Sequence, residues 1–160
     1  MKKLKVDLED IAICMENQRY ESNFYLDMET GETLAIPDEV MTALEEEEFR
    51  EGLPAWELEL LPQAKEIFEG SARYVEIPVR PSHEAYEAMA RFTEKVKDRN
   101  LQNRLSSALK GKGAFGRFKD TLREYPEIEK GWFKFKADRD KEEVKDWLES
   151  IGIEMDKGKI

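Results

Sequence analysis

The sequence predicts an α+β protein with an N-terminal helix, a small antiparallel sheet containing a β-hairpin, and a C-terminal helical bundle. Three observations carry this. Residues 22–37 alternate apolar and polar positions about a turn signal, and residues 82–125 repeat apolar side chains at helical spacing. Of the 160 residues 40% are apolar, which is enough for a packed core in spite of 39% charged side chains. The length suits one domain or two very small ones packed together.

The elements follow in order. Asp7 stands before Leu8, Ile11, Ala12 and Met15 as an N-cap, with Val6 placed to staple onto Ile11, so a helix is expected over 8–18. SNFYLDMETGETLAIP then reads as two strands around Met28-Glu29-Thr30-Gly31, where Gly31 can take the positive φ of a tight reversal. Phe24 and Leu26 on one strand and Leu34 and Ile36 on the other are expected to bury one face, with Tyr25 and Asp27 pointing elsewhere. Past Pro37, Val40, Met41 and Leu44 predict a helix whose four consecutive Glu, 45–48, line a solvated face before Phe49. Gly52 and Pro54 break the chain. Pro62 can start another helix that carries Ala64, Ile67 and Phe68 inward and closes at Gly70. ARYVEIPV is a third strand that Pro78 confines to an edge or terminates.

From Ser82 the pattern is helical: Ala85, Met89, Phe92 and Val96 form one stripe, and Leu101, Leu105, Ala108 and Leu109 the next after Asn100. Gly111 and Gly113 separate these from a helix with Phe115, Phe118, Leu122 and Tyr125 on one face, stopped at Pro126. Residues 130–137 fit either a helix, through Ile128, Trp132 and Phe135, or a strand, through Phe133, Phe135 and Ala137. Asp140 with Glu143 looks like a capping pair for a last helix that buries Val144, Trp147, Leu148 and Ile151 and ends at Gly152. The expected division is an acidic part with the hairpin, 1–79, a basic helical part, 80–155, packed with it as one unit, and a tail, 156–160.

Charge is unevenly spread. The net charge of −10 resolves into −13 over residues 1–70 and +3 over 71–160, and residues 91–123 alone carry +7. Such a segment suits a phosphate-bearing partner, including nucleic acid, or pairing with the acidic half or a second copy; a solvated helix face is the structural alternative. No apolar run is long enough for a membrane span, and Asp7, Glu9 and Asp10 interrupt what would be the apolar part of a signal peptide. A single Cys excludes an internal disulfide framework or a Cys-based zinc cluster and fits a reducing, cytoplasmic setting.

The most chemically suggestive motif is KGKGAFGRFKD. Gly111, Gly113 and Gly116 satisfy G-x-G-x-x-G, but a helical pattern precedes them where a dinucleotide fold needs a strand. Arg117 and Phe118 stand where a Walker A loop needs Lys and Ser/Thr, and no HRD or DFG supports a kinase. What remains is a glycine-opened helix start with free N–H groups and nearby cations, giving Arg104, Lys110, Lys112, Gly113, Arg117 and Lys119 as candidate anion- or nucleic-acid-binding residues. The competing structural reading is a plain helix–helix turn. Aromatics interleaved with cations in FGRFKDTLR and WFKFKADR could stack bases, although their helical spacing also places them in a core. Trp56, Trp132 and Trp147 read as packing residues, with any exposed Trp favouring a partner surface.

Other chemistry is weakly signalled. His83, after Pro81-Ser82, suits a helix start, and Cys14 suits a core. Asp138, Asp140, Glu142 and Glu149 occupy calcium-loop positions, but Glu143 stands where the turn needs glycine, so no metal site is assigned. No catalytic residue and no cofactor is assigned either.

Four stretches, YLDMETGE, YVEIP, ALKGKGAFGRFKD and the terminal W-x-x-F followed by WLESIGI, together resemble Uncharacterised Protein Family 0158, a set of small bacterial proteins without an established activity. The resemblance spans about residues 4–155. It implies a bacterial cytosolic protein and carries over no catalytic residue. The leading functional expectation is a non-catalytic binding or regulatory module that meets a phosphate-bearing partner through 91–123. A protein-interaction or self-associating module and a small enzyme with a carboxylate- or nucleotide-based site stand as alternatives.

Overall fold

The first helix begins where Asp7 places its carboxylate: Oδ1 accepts from the N–H groups of Glu9 at 2.9 Å and Asp10 at 3.2 Å. The structure is a computed structural model and describes residues 2–156, except for the side chains of Glu47, Glu48, Phe49 and Ser82. In chain order it contains β1 (Lys2–Leu4), α1 (Leu8–Asn17), β2 (Ser22–Asp27), β3 (Thr33–Pro37), α2 (Asp38–Glu45), a 3-10 turn (Glu47–Gly52), α3 (Ala55–Leu58), α4 (Leu61–Phe68), β4 (Tyr74–Glu76), α5 (Ser82–Lys95), α6 (Arg99–Ala108), α7 (Ala114–Arg123), α8 (Pro126–Ser150) and β5 (Ile153–Met155). The α+β class stands. Two compact units form among the described residues, one from 2–79 with 144–156 and one from 80–143.

In the first unit β2 lies between β3 and β4, antiparallel to both. The hairpin closes at Gly31, with φ +80°, and a Cβ there would meet the Lys5 carbonyl oxygen at 1.9 Å, so glycine is required by backbone conformation and by space. The register changes which side chains share a face. Tyr25 pairs with Leu34, and Phe24 pairs with Ala35, so Leu34 and Ile36 lie with Tyr25 and not with Phe24 and Leu26. Both faces of the sheet are covered as a result. Leu26, with Phe24 against it, joins Ile11, Met15, Ile77 and Val144 in one core, while Tyr25, Ile36, Val40, Ala64 and Tyr74 form a second.

Burial of both faces also encloses Asp27, which is bound bidentately by Arg73, Nε to Oδ1 at 3.0 Å and Nη2 to Oδ2 at 2.9 Å. Gln18, buried at the end of α1, ties the layers together. Its Nε2 donates to the carbonyls of Phe24 and Ile77, and its Oε1 accepts from the Phe24 N–H at 2.8 Å.

Two strands are additional to the sequence expectation. β1 and β5 pair in parallel, Leu4 opposite Met155, and bury Leu4 and Ile153. Val144 and Leu148 of α8 join the first core as well, so this end of the chain groups with the first unit, whereas the sequence division places 144–155 with the helical part. Ala64 is buried on α4 as expected, but Phe68 is 62% exposed. Glu45 and Glu46 of the acidic run are exposed, whereas the side chains of Glu47, Glu48 and Phe49 lie outside the described residues, as does the tail from 157 onward.

The second unit is helical. Met89, Phe92, Leu101, Leu105, Phe118, Leu122 and Trp132 form its core, with Phe118 and Trp132 edge to face at 5.1 Å. Asp98 caps α6 through the Leu101 N–H at 3.2 Å. Phe115 lies 42% exposed, because Ala114, Phe118 and Leu122 already form the inward stripe of α7. The ambiguous residues 130–137 are helical within α8, which runs unbroken for 25 residues. Asp140 and Glu143 therefore do not cap a new helix. They sit in mid-helix and engage the buried Arg80, at 3.5 and 3.3 Å.

Candidate functional site

The division of charge sharpens when it is counted by unit: residues 80–143 carry a net +4 and the rest of the chain −14. Of the six sequence-predicted residues, Lys110, Lys112 and Gly113 share the turn between α6 and α7. Gly113 has φ +78° and its carbonyl accepts from the Arg117 N–H at 3.1 Å, while no side chain caps the start of α7. Lys110 and Lys112 are exposed.

Arg117 has a different task from the one its charge suggests. Its guanidinium folds back on the turn and donates to the carbonyls of Ala108, at 3.2 Å, Lys110 and Lys112. It thereby satisfies the Ala108 carbonyl at the end of α6 and two carbonyls of the turn that follows, and complements the negative end of that helix. Lys119, two residues further on, is rotated by about 200° around α7 and lies on the opposite flank of the buried stripe. Arg104 is paired with Glu124 and also donates to the Tyr125 hydroxyl at 3.0 Å. The structure thus gathers Lys110 and Lys112 at one turn, uses Arg117 to hold that turn, and leaves Arg104 and Lys119 elsewhere.

A second cationic group was only partly legible. On α5, Arg91 and Lys95 are four residues apart and outside the stripe of Met89, Phe92 and Val96; on α8, Phe135 and Arg139 have the same spacing. These four residues and Glu94 line an open groove of about 500 Å³. Phe135 forms its wall and packs against Phe92 and Trp132, at 5.6 and 6.2 Å between ring centroids. The Lys95 ammonium stands 4.8 Å and the Arg139 guanidinium 5.9 Å from the Phe135 centroid. Among the described residues no carboxylate lies within ion-pair distance of Arg91, Lys95 or Arg139. Sequence reasoning included Arg91 and Lys95 in the basic segment and noted WFKFKADR, but the helix-or-strand ambiguity at 130–137 hid the fact that Phe135 and Arg139 share a face.

The remaining reactive side chains are placed unambiguously. Cys14 is buried in the first core, and burial pushes its thiol above the ordinary range, which disfavours the thiolate. His83 is exposed in the first turn of α5. Trp132 is buried and Trp147 half-buried, whereas Trp56 is 59% exposed. Among the described residues no helix is long and apolar enough to cross a membrane.

Fold and surface together define a two-unit α+β protein whose cations concentrate on the helical unit. The chain belongs to the family described as Uncharacterised protein family (UPF0158), which it matches over residues 3–156. It is similar to UPF0158 protein PA5073 of Pseudomonas aeruginosa, with 25% identity over 158 residues that cover 96% of this chain and 88% of the relative. No solved structure matches the chain.

Proposed function

We propose that the protein is a non-catalytic binding module whose helical unit docks a phosphate-bearing polymer, RNA or DNA. The observation that supports this reading is the groove of Arg91, Lys95 and Arg139 around Phe135. Cations without carboxylate partners can take up phosphates, and the accessible part of the ring offers a base an apolar surface. Lys110 and Lys112 extend the cationic surface of the same unit, and Arg117 serves it indirectly by fixing the turn that presents them.

Fluorescence anisotropy with a labelled single-stranded RNA and the matching DNA tests the reading. The intact protein should bind at low salt, with log affinity falling linearly with log salt. Replacing Arg91, Lys95 and Arg139 together by Ala should reduce the magnitude of the slope by about 2. Absence of binding at low salt, or an unchanged slope in the variant, would overturn it.

The opposed charges of the two units also favour association in trans between copies of the chain. That second reading requires a particle mass by light scattering that falls from a multiple of 18.7 kDa toward the single-chain value as salt rises. A single-chain mass at every salt concentration rejects it.

A further inference from the structure

The first unit holds an unusual pair of carboxyl groups that neither the hairpin nor the cores require. At the end of the hairpin away from its turn, β2 begins at Ser22 and β3 runs through Pro37 into α2, joined by the Asp38 N–H donating to the Glu21 carbonyl at 3.1 Å. Here an open pocket of about 530 Å³ is lined by Glu21, Asp38, Glu39, Trp56 and Glu57 as well as Ser22 and Pro37. Four of these residues are acidic and none is basic. Glu57 is only 3% exposed, and among the described residues no N–H or hydroxyl donor reaches its Oε2. A buried carboxylate without a donor is strongly disfavoured.

Burial pushes Glu57 above the usual carboxylate range, and the hydrogen bond with Glu39 raises it further while holding Glu39 below that range. Beside them the Trp56 indole is 59% exposed, a large aromatic surface left at the pocket. Among the described residues no group of three or more His, Cys, Asp or Glu is arranged to hold a metal ion, so a multiply coordinated cation does not fit. A cation that brings its own N–H donors and an alkyl chain does.

We propose that the pocket of Glu39, Glu57 and Trp56 binds the ammonium head of a primary alkylamine, whether a free amine or a lysine side chain. The ammonium N–H groups supply the donor that Glu57 Oε2 lacks, and the Trp56 face covers the cation and its first methylenes. Glu21 and Asp38 add negative potential at the mouth. The site is independent of the helical unit and of any nucleic-acid binding there.

The test is isothermal titration calorimetry, together with tryptophan fluorescence, at constant ionic strength. One arm uses cadaverine and the other Nα-acetyl-lysine amide. Saturable binding of either probe is the expected result, and the arm that binds more tightly identifies the source of the amine. Glu57→Gln, which removes the negative charge with little change of shape, should weaken binding by about tenfold or more. Trp56→Phe should remove the fluorescence response. If Glu57→Gln loses the circular dichroism of the native protein, Glu39→Gln replaces it with the same expectations. No saturable heat from either probe up to about 10 mM, or wild-type affinity in the folded Gln variant, would overturn the proposal.

Discussion

Single side chains decide much of the first unit, and two of them make sharp predictions. Asp27 is buried beside Arg73, whose two hydrogen bonds, with that from the Glu29 N–H at 2.9 Å, hold its carboxyl down to about 2 from 3.8. Because the folded-state pKa is depressed, its contribution to stability is present above pH 3.8 and is lost as pH falls through about 2. Urea midpoints measured down that range should drop more steeply for the wild type than for Asp27→Asn. Gln18 makes the second case. Gln18→Ala leaves the half-buried Phe24 N–H and the buried Ile77 carbonyl without their side-chain partner and should cost about 1–3 kcal/mol in chemical denaturation. Neither role could be read from the chain. Asp27 looked like an outward strand residue and Gln18 like the polar end of a helix, because their partners, Arg73 and the residues around Ile77, are brought near only by the fold. The N-cap Asp7 and the turn glycine Gly31 were legible, since their requirements are met within a few residues.

At the scale of elements, periodicity located the hairpin and the helices, and it failed where a choice depended on packing. Apolar residues alternate on both hairpin strands, but which alternates face each other is set by register, and the pairing of Tyr25 with Leu34 assigns them to opposite cores from those expected. In residues 130–137 the aromatic run fits two periods, and burial of Trp132 against Phe92 and Phe118 selects the helix. The turn between α6 and α7 shows how a functional motif and a structural device can share residues. Arg117→Ala should expose three carbonyls that its guanidinium now satisfies and lower stability by about 1 kcal/mol, as measured by thermal unfolding. It should leave the salt slope of nucleic-acid binding nearly unchanged. A large fall in that slope would instead show Arg117 meeting phosphate directly.

At the scale of the whole molecule, charge and connectivity are organised by unit. The overall acidity describes the first unit, and the helical unit has the opposite sign. The first unit is closed by both ends of the chain: β5 pairs with β1, and the Asp156 N–H donates to the Leu4 carbonyl at 2.9 Å. Ending the chain after Gly152 removes the nearly fully buried Ile153 and should cost about 2–3 kcal/mol in urea unfolding, with faster hydrogen exchange at the amides of 2–4. Unchanged stability would show that the strand pair adds little.

The sequence by itself determined the α+β class, the hairpin turn, the starts of α1 and α5 and the concentration of cations in 91–123, because each rests on local propensity, periodicity or simple counting. Only the tertiary structure decided the β1–β5 pair, the two-sided burial of the sheet, the structural use of Arg117, the Phe135 groove and the Glu39–Glu57–Trp56 pocket. Each of these joins side chains that the sequence separates, and the free energy that selects them comes from burial, register and charge pairing that exist only once the chain has folded.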